Sequence, residues 1–182
     1  MTNEKKDGLQ SDHRNARSRL VVTGIDTDGR STIVSDALSD KRFVGDAYCV
    51  NMMWQARSVP VSVEAESSIT EVNFRPPPNG VTVVTTTFPP DSSYDYKAGY
   101  AKSLEDWGAN HQPGRDNNPA MHTTDSIDIV TIVDGEIWAI LEGAETLMKA
   151  GDVLVQRGTR HAWENRSNRD CTIVATLLSA TR

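Results

Sequence analysis

From Ala120 to the C terminus the sequence alternates short apolar runs with tight turns, and that rhythm limits the fold more than any other feature of the chain. HTTDSIDIVTIV is followed by Asp134-Gly135, then EIWAILEG, ETLMKAGDVLVQRG, RHAWENRS and CTIVATLLSA. Short β-branched runs broken by turn residues at this spacing predict an all-β sandwich or barrel. The first half carries the same signals less regularly. RLVVTGID and RSTIVSD flank Thr27-Asp28-Gly29 and predict a β-hairpin. GVTVVTTTF is β-branched almost throughout and stops at Pro89-Pro90, which cannot continue a central ladder. The segment from Ala47 to Val63 and the run SSITEVNF read as further strands, closed by the break Arg75-Pro76-Pro77-Pro78-Asn79-Gly80. Only residues 94–110 have helical spacing, with Tyr100, Leu104 and Trp107 on one face, and predict a short helix or lid.

A chain of 182 residues suits one core rather than two. Residues 1–18 are highly charged and almost devoid of apolar side chains, which predicts a disordered or loosely attached arm, with one domain over 19–182. The balance of 19 basic against 25 acidic residues gives a net charge of −6, against the footprint of a nucleic-acid binder. Cys49 and Cys171 are far apart and form no Cys-x-x-Cys pair, so they read as buried thiols. The polar start has no apolar leader core, and no later run approaches the ~18 apolar residues of a membrane span, so the expected location is cytoplasmic, with no membrane partner. Neither a phosphate-cradling glycine loop nor a Gly-x-Ser-x-Gly elbow is present.

The chemistry-bearing residues gather in the C-terminal half. Residues two apart on a strand share a face, so His122, Thr124, Ser126 and Asp128 point one way, together with Val130 and Ile132. By the same rule Thr159, His161 and Trp163 share a face, and strand pairing can set His161 opposite His122. Two histidines and a carboxylate make a facial triad with open positions, suited to one divalent ion, iron, manganese, zinc or nickel. Two other readings stand beside it. The three residues can form a hydrogen-bonded polar cluster with Thr124 and no metal, or Asp128 and His161 can act as a general acid/base pair. Trp163, sharing a face with His161, is the tryptophan best placed to touch a substrate. Met52, Met53 and Trp54 are adjacent in sequence, so one side of that run reaches the interior and makes Trp54 a second candidate. Asp125, of opposite parity to His122, reads as solvent-facing, and His111 as a loop residue. Arg157 and Arg160 flank a turn, where surface positions are commoner than substrate contacts.

PAMHTTDSIDIVTIVDGE, followed by AGDVLVQRGTRHAWEN, resembles the two motifs of the cupin superfamily. His122, Asp128 and Gly135 match the first motif, about 120–135, at its first histidine, its carboxylate and its glycine. Gly151, Gly158, His161 and Asn165 match the second, about 151–165. The departures are Thr124 in place of the second histidine, Asp128 in place of glutamate, Gln156-Arg157-Gly158 in place of a longer proline turn, and Asp116 in place of the opening glycine. The resemblance implies a single double-stranded β-barrel, or jelly roll, with extra N-terminal strands and a short helix. It also implies a homodimer and a small organic substrate, aromatic or a keto acid, held near Thr124, Trp163 and Trp54. The implied chemistry is metal-dependent, with His122, Asp128 and His161 as ligands and an oxygenase-type reaction foremost. A lyase or isomerase, and a ligand-binding barrel without catalysis, are the alternatives, because fold alone does not select a reaction.

Overall fold

The computed structural model describes residues 11–106 and 118–182. Eleven strands follow one another as β1 (Arg19–Ile25), β2 (Ser31–Leu38), β3 (Arg42–Val44), β4 (Cys49–Ala56), β5 (Val81–Phe88), β6 (Ser126–Asp134), β7 (Glu136–Leu141), β8 (Glu145–Lys149), β9 (Val153–Arg157), β10 (His161–Glu164) and β11 (Cys171–Ser179). Among the described residues a single α-helix, α1 (Tyr96–Asp106), lies between β5 and β6. It falls inside the stretch whose spacing predicted it, though Trp107 and His111 lie outside the described residues. The run SSITEVNF forms no strand. Ser68 instead bonds back to Gln55 through both its amide and its hydroxyl, and Phe74 is buried.

The strands make a six-stranded sheet in the order β3-β4-β5-β11-β6-β9, a three-stranded sheet in the order β10-β7-β8, and the separate hairpin β1-β2. All pairs are antiparallel. The architecture is all-β and cupin-like, as the sequence implies. Its hydrogen-bond ladders form three separate sheets among the described residues rather than one continuous ring.

The inward face follows from alternation. Asp128, Val130 and Ile132 of β6, Ile173, Ala175 and Leu177 of β11, and Val84 and Phe88 of β5 are buried. Ladder register sets them in rows across the sheet: Met52, Val84, Ala175, Val130 and Leu154 in one, and Leu177, Asp128 and Gln156 in the next. The row of aliphatic side chains is core, while the neighbouring row brings two polar groups to the same interior. Between β6 and β7 the chain reverses at Gly135, where φ is +79° and a Cβ would lie 2.7 Å from the Asp170 carbonyl oxygen and 2.9 Å from the Cys171 Cα. Both neighbours are backbone, so glycine is required by conformation and by space.

Residues 11–18 run against the body. His13 is buried and its Nε2 pairs with the Gly45 carbonyl, while Asn51 donates to the Ala16 carbonyl. Beyond them the hairpin carries little cover: every residue of β2 is exposed, including Ile33, Val34 and Leu38. A lone two-stranded ribbon is marginal in water. Among the described residues no helix is long and apolar enough to cross a membrane.

Candidate functional site

His122 and His161 form an isolated antiparallel bridge in which each backbone amide donates to the other residue's carbonyl, at 2.9 and 3.0 Å. Directly opposed residues of an antiparallel pair project from the same face. The two imidazoles accordingly meet with ring centroids 4.3 Å apart, tilted by 50°. On its other side His161 belongs to β10, whose pairing with β7 fixes its direction. Trp163, two residues on, shares that face and meets His161 edge-on at 6.3 Å.

These side chains open onto a cavity of about 140 Å³ between the six-stranded sheet and β10. His122, Thr124, Asp128, Gln156 and His161 supply its polar groups, and aliphatic and aromatic side chains such as Tyr48, Phe74, Phe88 and Trp163 most of the remaining wall. Helix α1 contributes Tyr100, which is buried and donates its hydroxyl to the Trp163 carbonyl at 3.0 Å.

Each imidazole has a fixed tautomer. Nδ1 of His122 lies 2.8 Å from the Ala120 carbonyl oxygen, and Nδ1 of His161 lies 3.0 Å from that of Thr159. A carbonyl only accepts, so Nδ1 carries the proton in both rings and a neutral ring leaves Nε2 as a lone-pair acceptor. Burial lowers the pKa of both. His161 drops to about 3, through burial first and the adjacent His122 second. Asp128 shifts the other way: burial raises its pKa, while the Ser126 and Thr124 hydroxyls oppose the rise. Its Oδ1 is buried and has no hydrogen-bond partner. An orphaned acceptor in an apolar wall is costly, and protonation or a ligand relieves it.

The expected metal centre is corrected by this geometry. Among the described residues no group of three His, Cys, Asp or Glu side chains is placed to hold a metal ion. His122 and His161 are adjacent, but Asp128 stands on the opposite sheet in the row of Leu177 and Gln156. Aspartate is one methylene shorter than glutamate, and Thr124 offers a hydroxyl where a further imidazole would have stood. Among the described residues nothing completes the histidine pair, so no single divalent ion of iron, manganese, zinc or nickel is assigned.

Other expectations sort by strand register. Thr124 and Trp163 line the cavity, but Trp54 does not. The β-bulge between Met52 and Trp54 pairs Met52 with Val84 and Trp54 with Val83. Val84 is a cavity residue and Val83 is not, so the inserted residue turns Trp54 to the outer face. Asp125 pairs with Arg182 at 2.5 Å, and Arg160 lies 3.5 Å from Glu142, away from the cavity lining. Gln156, read from sequence as part of a turn, is the inward residue of β9 and donates to the Thr159 carbonyl at 2.8 Å. Its signal was present: in VLVQR the polar side chain shares the parity of Leu154, while Val153 and Val155 face outward.

A family model described as Cupin domain matches residues 109–177. Cupin-domain-containing oxidoreductase srdD of Neurospora crassa is 28% identical over 147 residues, covering 79% of this chain and 64% of that protein. Cupin-domain-containing oxidoreductase srdB of the same organism is 27% identical over 164 residues, 86% of this chain and 71% of that one. Phomopsin biosynthesis cluster protein C' of Diaporthe leptostromiformis is 53% identical over 49 residues, 26% of each chain. The matched part of this chain thus spans about a quarter of the phomopsin protein's length and 64% of that of srdD.

Proposed function

The chain belongs to the cupin superfamily, and we propose that it is an enzyme moving protons on a small organic molecule bound in the cavity, a lyase or isomerase in type. The observation that carries this reading is the buried, unpartnered Oδ1 of Asp128 facing the same cavity as the neutral His161. Burial raises the pKa of Asp128 and so favours its acid form, and in that form it donates a proton to a substrate oxygen. His161 accepts one at Nε2, its Nδ1 being fixed by the Thr159 carbonyl. So weak a base takes only an acidic proton, such as one next to a carbonyl or on a phenol. Loss of water, with a carbon-bound proton passing to His161 and the departing hydroxyl protonated by Asp128, balances in atoms and charge; so does migration of a double bond.

The test is solvent exchange. Single-ring hydroxy and carbonyl compounds incubated in D2O should gain deuterium or form product, followed by NMR. Asp128→Asn should slow this by about a hundredfold or more. An unchanged rate in Asp128→Asn removes the acid role, and failure of every substrate to exchange or turn over favours a binding protein without catalysis.

An oxidoreductase is the second reading, favoured by the names of the two Neurospora relatives. In that reading dioxygen is a co-substrate, and consumption of oxygen in step with product formation distinguishes it from the first. The homodimer belongs to the proposal as well, supported by the exposed apolar side chains of the β1-β2 hairpin. Light scattering on the purified chain should give twice the monomer mass, and the mass of a single chain across micromolar concentrations would sink it.

A further inference from the structure

The polar atoms of the cavity have fixed hydrogen-bonding roles, and those roles restrict what can sit against them. Each histidine uses Nδ1–H on a backbone carbonyl, leaving two Nε2 acceptors on rings 4.3 Å apart and no imidazole donor. Gln156 spends its amide hydrogens on Thr159, both on the carbonyl and on the hydroxyl. Ser126 donates its hydroxyl to Thr124. A ligand that brings only acceptors, such as a carboxylate or a bare carbonyl, leaves the Nε2 lone pairs buried and unpaired. A pure hydrocarbon leaves them unpaired as well, together with Oδ1 of Asp128. A hydroxyl is both donor and acceptor, so it can donate to an imidazole and still accept from a carboxylic acid.

The rest of the wall sets the body of the ligand. The cavity of about 140 Å³ is close to the size at which an apolar cavity of roughly 150 Å³ holds benzene. The single cation among its described lining residues is Arg75, which is exposed. We infer that the cavity takes an uncharged, single-ring-sized molecule bearing a hydroxyl group, a phenol or a ring alcohol, with the hydroxyl set against the His122–His161 pair. This narrows the substrate class of the proposed function and rests on that reading only in using the same cavity. A keto acid, expected from sequence as one possible substrate, does not meet these requirements.

Binding measured without turnover tests it. Ligand-detected NMR titrations of the full chain at neutral pH use p-cresol, toluene and benzoate. These probes share one ring and differ in the group it carries. The expected result is that p-cresol binds at least about tenfold more tightly than toluene, with benzoate weaker than both. In His161→Phe the preference for p-cresol over toluene should collapse to within about twofold, while toluene still binds. That retained toluene affinity shows that the variant is folded and the cavity intact. Equal affinity for p-cresol and toluene in the natural sequence overturns the inference, as does tighter binding of benzoate, or no binding by any probe up to its solubility. A phenol that binds but never exchanges or reacts sinks the proton-transfer reading and leaves this one standing. Turnover of a hydroxyl-free substrate, with no preference for p-cresol, does the reverse.

Discussion

Replacing Asn165 by leucine should destabilise the fold by about 3 to 5 kcal/mol, the largest effect expected of any single substitution outside the cavity. Asn165 is 1% exposed and every polar atom of its side chain is used. Nδ2 donates to the carbonyls of Phe88 at 3.0 Å and Arg169 at 2.8 Å. Oδ1 accepts from the Ser167 amide at 3.1 Å and from its hydroxyl at 2.7 Å. One side chain thereby pins the turn between β10 and β11 to the end of β5, and so to the sheet that carries Asp128. Leucine matches the volume and none of the bonds, leaving the carbonyl of the buried Phe88 without its amide donor and the turn at Ser167 and Arg169 without its anchor. Each buried group left unpaired costs about 1 to 3 kcal/mol. Urea denaturation of both proteins measures the difference, and a loss below about 1 kcal/mol would show that water replaces the amide and that the turn is not held in this way.

Asn165 also shows what the sequence makes legible. Some residues could be read directly from local pattern, Gly135 in its turn and His122 and His161 through strand parity, while Asn165 stands out only by its match to the second motif. What parity cannot supply is the distance between sheets. Asp128 shares the inward direction of its strand, as expected, but direction does not bring a short side chain to histidines on a facing sheet, and the metal assignment failed on that difference. Irregularities hide for a related reason. One inserted residue in β4 reverses the face of everything after it, which is how Trp54 left the site. Tyr100 and Phe74 reach the cavity from a helix and a strandless loop, where no two-residue period marks the inward side.

Acid should selectively remove the contribution of His161 to stability, and the direction follows from its lowered pKa. In the folded chain the imidazole resists protonation down to about pH 3, against an ordinary value near 6.5. Between these values the unfolded chain binds the proton and the folded chain does not, so stability is intact above pH 6.5 and is lost as the pH falls toward 3. Between pH 7 and pH 4 the loss from this one group is about 3 kcal/mol. His122 acts in the same sense, its pKa being lowered by the same burial. Asp91 opposes them, because burial raises its carboxyl to about 6, and its unfavourable charge in the folded state fades as the pH falls through that value. Asp128 opposes them for the same reason. The bare acid profile of the protein is therefore a difference of competing terms and identifies none of them. Comparison with His161→Gln isolates one: glutamine cannot be protonated, so the stability gap between the two proteins should narrow by about 3 kcal/mol from pH 7 to pH 4 in paired urea titrations. Comparison with Asp91→Asn should change in the opposite direction over the same range. A gap to His161→Gln that stays constant with pH would mean that His161 is protonated as readily in the folded chain as in the unfolded one. The neutral, lone-pair-bearing imidazole on which the cavity chemistry depends would then be lost.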